Sequence, residues 1–89
     1  MENDPLPNDS QRRALGEFLQ YAFCAMRQED DPGVTQALAD ALHNIPVEMY
    51  APGVWSVRRT RRDLMIFEKR HGGSFVEMFD EIFPPNADN

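Results

Sequence analysis

The sequence is poor in the residues that build disulfides and metal sites. It holds one cysteine, Cys24, and two histidines, His43 and His71, among 89 residues. A single cysteine forms no internal disulfide, which excludes the disulfide-rich class of small secreted domains. A zinc site needs at least three protein ligands, whereas the one candidate pair, Asp40 and His43, supplies two. We therefore expect no metal, no cofactor and no catalytic residue.

Long apolar runs and targeting patterns are also missing. No uninterrupted apolar stretch approaches the roughly 20 residues that cross a bilayer. The first residues are acidic and lack the basic and apolar regions of a signal peptide. We therefore expect a cytoplasmic protein without membrane association. Nucleotide-binding glycine motifs are absent as well, and a turn between helices explains Gly72-Gly73-Ser74.

What is present is the balance of an ordinary globular domain, with 42% apolar and 27% charged residues. We predict one domain over residues 9–84, with flexible tails at 1–8 and 85–89. A domain of this size buries only roughly 60–65% of the surface of its unfolded chain. Self-association is a common source of extra stability for such small domains, and a homodimer is one expectation.

Apolar residues recur at helical spacing in the N-terminal half. They predict an amphipathic helix from Asp9 or Ser10 to about Glu29. Asp31 as a cap followed by Pro32 predicts a second helix that runs to about Asn44. The short polar connection favours an antiparallel hairpin of these two helices. The stripe of the first helix consists of Leu15, Phe18, Leu19, Ala22, Phe23 and Met26.

The C-terminal half predicts two shorter helices after an irregular aromatic loop over residues 44–55, where Pro and Gly interrupt any helix. The third helix starts at Ser56 or Thr60 and ends near His71. Ser74 and Glu77 form the pattern of a capping box for a fourth helix. We therefore predict a small all-α domain of four helices. The alternative is an α+β fold with a short hairpin in residues 54–69.

Charge is distributed unevenly along the chain. The net charge is −6, yet residues 55–73 hold six cations and only two acids. Four of these cations, Arg58, Arg59, Arg61 and Arg62, lie within five residues at the predicted start of a helix. Cations there oppose the helix dipole by about 0.3–1 kcal/mol each. Something acidic should compensate for them.

Two explanations of this arginine block remain open. The chain's own carboxylates can compensate: Asp30, Asp31, Asp80, Glu81, or Asp63 next to Arg59. Alternatively, the block binds an external acidic surface, with nearby aromatic side chains as anchors. The residues of this second hypothesis are Arg58, Arg59, Arg61, Arg62, Trp55, Tyr50 and Met49.

The last two predicted helices carry more apolar residues than one packed face needs. Leu64–Phe67 points around most of its helix, and Ile66 faces nearly opposite to Leu64 and Phe67. A well-buried C-terminal half explains this, and so does a self-association surface. The candidate self-association residues are Ile66, Phe75, Val76, Phe79 and Phe83.

These patterns favour a non-enzymatic protein–protein interaction or regulatory module that binds an acidic partner. A nucleic-acid-binding protein that uses the same arginine block is the alternative. A third hypothesis is an acidic inhibitor that imitates nucleic acid. The basic centre of the chain weakens this hypothesis, because a mimic needs a continuous negative face.

Overall fold

A computed structural model describes residues 4–85 and shows only helices and their connections within that range. The helices are α1 (Asp9–Gln28), α2 (Pro32–Leu42), α3 (Ile45–Glu48), α4 (Val57–His71) and α5 (Phe75–Ile82). The prediction of an all-α fold is confirmed. The alternative hairpin in residues 54–69 is not supported, because α4 occupies most of that segment.

Local capping explains most of the helix starts. Asn8, one residue before the predicted cap, forms a reciprocal capping box with Gln11 at the start of α1. Asp31 caps α2 with Pro32 in the first turn, as predicted. The Ser56 hydroxyl accepts a hydrogen bond from the Arg59 N–H (3.1 Å) and starts α4.

The predicted capping box of α5 does not form. Ser74 is the residue before α5, but its side chain makes no capping hydrogen bond. Glu68 on α4 takes over this role, because its Oε2 accepts a hydrogen bond from the Val76 N–H (2.8 Å). Between the two helices, Gly72 and Gly73 adopt positive φ angles of 83° and 114°, which glycine tolerates best. The turn and the Glu68 carboxylate together fix α5 relative to α4.

The core lies where the helices meet. Helix α4 packs against both α2 and α5, and α1 packs against α5 and, less extensively, against α2. Phe23, which the sequence places on the buried stripe of α1, is half-exposed because it lies about 80° around the helix from Leu15. The buried apolar residues are Leu15, Phe18, Leu19, Ala22, Leu38, Leu42, Ile45, Met49, Trp55, Leu64, Phe67, Phe75 and Phe79.

The segment before α1 is attached to the start of α4. The Asp4 N–H donates to the Trp55 carbonyl (2.8 Å), and Asp4 Oδ2 accepts from the Val57 N–H (2.7 Å). Pro7 is buried. Residues 4–8 therefore differ from the flexible tail expected over residues 1–8. The rest of that tail, and most of the predicted tail over 85–89, lie outside the described residues.

We expect Glu68→Ala to lower the free energy of unfolding by about 0.5–2 kcal/mol, the usual effect of losing a helix cap. The matched control is Ser74→Ala, which removes no capping hydrogen bond and should change stability by less than about 0.5 kcal/mol. Urea unfolding followed by circular dichroism measures both. Equal losses in the two variants would contradict the assignment of the cap to Glu68.

Candidate protein-binding surface

The first turns of α4 split the arginine block into paired and unpaired members. Arg61 is paired: its Nε donates to Asp80 Oδ1 (2.7 Å) and its Nη2 to Asp80 Oδ2 (3.0 Å). This two-point contact ties α4 to α5. The hydrogen bond to Asp80 raises the pKa of the Arg61 guanidinium above its ordinary value, against a smaller opposing effect of burial. The contact with Asp80 therefore stabilises the charged form of Arg61.

Arg59 is also used within the chain. Its Nη2 donates to Glu48 Oε1 (2.5 Å) and to the Val54 carbonyl (2.7 Å). These contacts hold the segment 45–55 against the start of α4. The local partner Asp63, one turn away, makes no ion pair with Arg59. Two of the four arginines thus have compensating carboxylates in their own chain, and their role is structural.

Arg58 and Arg62 differ from these two. Both are exposed, and neither forms an ion pair with any residue in the range 4–85. They lie on one stripe of α4 together with Met65, Ile66 and Lys69, at offsets of four, seven, eight and eleven residues from Arg58. Met65 is 48% exposed and Ile66 is 56% exposed. We call these five residues the outer face of α4. It carries three cations, two apolar side chains and no acid.

The aromatic loop buries two of the three anchors that the sequence predicts. Residues 45–48 form the helical turn α3, and the segment folds back onto the core. Trp55 is fully buried (0% exposed), with its ring centroid 5.7 Å from that of Phe83, and Met49 is buried too. A partner cannot reach either side chain in this structure, which corrects their assignment to a binding surface. Tyr50 is 58% exposed, and the guanidinium of Arg12 lies 5.7 Å from its ring centroid.

The candidate self-association residues are divided in the same way. Phe75 and Phe79 are buried, each with its ring centroid 6.2 Å from that of Phe18. They belong to the core, and this corrects their assignment to an interface. Val76 and Phe83 are partly buried against the same cluster. Ile66 is the exposed member of the set.

Sequence reasoning missed a groove between α1 and α5. Its volume is about 390 Å³. Its two walls come from residues at least sixty positions apart, so no local pattern in the sequence predicts it. Each helix contributes one carboxylate to the lining: Glu17 on α1 and Glu81 on α5. The lining residues are Ser10, Gln11, Ala14, Glu17, Phe18, Met78, Glu81 and Ile82.

Other chemistry finds little support in the part of the chain that the structure describes. Cys24 is exposed in the middle of α1. Within residues 4–85, no three side chains among His, Cys, Asp and Glu are grouped so that they could hold a metal ion. None of the helices there has the length and apolar character needed to cross a membrane.

Comparison with known proteins identifies no relative of this chain. The chain matches no protein-family model, no curated protein and no solved structure.

We expect Arg61→Gln to lower the free energy of unfolding by about 1 kcal/mol, because it removes a two-point charged contact between α4 and α5. Arg62→Gln is the matched control from the next position, and it should be neutral within about 0.5 kcal/mol. Urea unfolding of both variants tests whether Arg61 stabilises the fold and Arg62 does not. A loss on Arg62→Gln as large as that on Arg61→Gln would contradict this assignment.

The burial of Trp55 has a direct spectroscopic consequence, since it is the only tryptophan. Its emission should be blue-shifted in the folded protein, because the indole is removed from water, and acrylamide should quench it poorly. Unfolding in urea should shift the emission to the red and make quenching efficient. Efficient quenching without urea would show that Trp55 is accessible and would restore it as a candidate anchor.

Proposed function

We propose that this protein is a non-enzymatic protein–protein interaction module whose outer face of α4 binds an acidic partner surface that also presents apolar groups. The observation that carries the proposal is the composition of this face. Arg58, Arg62 and Lys69 stand on it without an ion pair to any residue of the range 4–85, and Met65 and Ile66 are exposed between them.

The requirements of folding do not account for Arg58 and Arg62, whereas the helix dipole favours Lys69 in the last turn of α4. Arg59 and Arg61 bind Glu48 and Asp80 and hold neighbouring segments in place. Arg58 lies in the first turn of α4, where the helix dipole disfavours a cation by about 0.3–1 kcal/mol. No contact within residues 4–85 compensates for it. A bound acidic partner would offset the unfavourable interaction of Arg58 with the helix dipole. It would also accept charge-assisted hydrogen bonds from the guanidinium groups.

The exposed apolar side chains favour a protein over a nucleic acid. A sugar–phosphate backbone offers cations many contacts but offers little to Met65 and Ile66. A protein helix with acidic and apolar residues on one side complements both parts of the face. The net charge of −6 opposes any acidic partner, and it opposes a polyanion most strongly because the charge density of a nucleic acid is higher than that of an acidic helix.

The test uses three labelled probes in fluorescence anisotropy. The first is a designed acidic amphipathic helical peptide, the second has the same composition with its apolar residues scrambled, and the third is mixed-sequence duplex DNA. We expect the protein to bind the amphipathic peptide at least about tenfold more tightly than the scrambled one. Apolar contacts made by Met65 and Ile66 provide the difference, because the charges of the two peptides are equal.

The double variant Arg58→Glu, Arg62→Glu should bind the amphipathic peptide at least about tenfold more weakly. The control is Arg13→Glu, Arg27→Glu, which changes the net charge equally at two exposed positions of α1. It should retain most of the binding. Equal losses in the two double variants would show a nonspecific charge effect. Tighter binding to DNA than to the peptide, with a steep salt dependence, would favour the nucleic-acid function instead.

A further inference from the structure

The groove between α1 and α5 runs along two antiparallel helices. Ser10 on α1 and Glu81 and Ile82 on α5 are among the residues that line it. Outside the lining, the ring centroids of Tyr21 and Phe75 lie 5.8 Å apart and join the same two helices. Both helices contribute apolar side chains to the floor of the groove. The floor residues are Ala14, Phe18, Met78 and Ile82.

The rims of this groove are acidic. Glu17 and Glu81 are exposed, and neither forms an ion pair with another residue of the range 4–85. Glu77 lies one turn before Glu81 on the same side of α5 and is exposed as well. The exposed Arg13 lies one turn before Glu17 on α1, so three carboxylates and one guanidinium stand along the rims. The groove therefore combines unpaired carboxylates with an open apolar floor, which is the complement of the outer face of α4.

The groove is long enough for the part of the outer face that carries the apolar side chains. Its wall on α1, from Ser10 to Phe18, spans eight positions or about 12 Å, and Arg62 to Lys69 on α4 spans seven positions or about 10 Å. The whole outer face, which begins at Arg58, is longer, at about 16 Å. In each case charged groups flank apolar ones: Arg62 and Lys69 flank Met65 and Ile66, and Glu17 and Glu81 flank the floor.

We propose that the occupant of the α1/α5 groove is the outer face of α4 from a second copy of this chain. This inference rests on the proposed function and names the acidic partner surface. It assigns the exposed Ile66 to an interface, but the opposite side of that interface is the groove and not a second Ile66. The contact is head-to-tail, since the two sides use different residues, and each added copy leaves one groove and one outer face free.

Sedimentation velocity over a range of concentrations tests the inference. The wild-type protein should associate as concentration rises, and salt should weaken the association. A groove variant, Glu17→Arg, Glu81→Arg, and a face variant, Arg58→Glu, Arg62→Glu, should each remain monomeric, because like charges then oppose each other. All four positions are exposed, so the fold should be retained, and circular dichroism checks this.

A mixture of the two variants provides the most discriminating test. The basic face of the groove variant matches the acidic groove of the face variant, and the reversed pair matches too. We expect the mixture to associate although neither variant does so alone. As a matched control, Glu29→Arg, Asp30→Arg changes two exposed carboxylates of the α1–α2 connection and should associate like the wild type.

Two results would overturn the inference. One is a wild-type protein that stays monomeric at its highest soluble concentration. The other is a groove variant that associates as strongly as the wild type. The proposed function fails separately, because the groove variant keeps its outer face intact and should still bind the acidic amphipathic peptide.

Discussion

The packing of Phe18 against Phe75 and Phe79 is the contact on which the rest of the structure depends. Phe67 joins the same cluster, with its ring centroid 5.8 Å from that of Phe75. Helix α5 has eight residues, too few to be stable alone in water, so its helical state depends on burying these rings. Once α5 is in place, it presents Asp80 to α4 and builds one wall of the α1/α5 groove.

The arginine block shows how one run of like residues takes on two roles. Successive positions on a helix point about 100° apart, so Arg61 and Arg62 cannot serve the same neighbour. Arg61 turns toward α5 and meets Asp80, whereas Arg62 turns toward solvent with Arg58. The same geometry places Leu64 in the core and Met65 and Ile66 outside it. The outer face of α4 thus consists of side chains that are not used for packing or for ion pairs with the other described helices.

The helices and several of their starts could be predicted from the sequence, because periodicity and caps are local signals. Asp31 with Pro32 and Ser56 act within their own helices. The compensation of charge is not local: Arg61 finds its carboxylate 19 positions away, and Arg59 finds one 11 positions away. The sequence proposed Asp80 among several candidates but did not indicate Glu48. The burial of Trp55 and the α1/α5 groove likewise depend on tertiary packing that no single segment encodes.

The hydrogen bonds of Asp4 have a consequence for the order of assembly. Asp4 and Val57 are 53 positions apart, so their contact closes a long loop and carries the corresponding loss of chain entropy. The Ser56 cap, by contrast, lies within three residues of its donor and can form as soon as α4 does. We expect the segment before α1 to dock last, onto a helix that is already formed. The entrance to α4 is then completed only when the segment before α1 reaches residues 55–57, which couples the order of its first turn to the folding of α1, α2 and α3 between them.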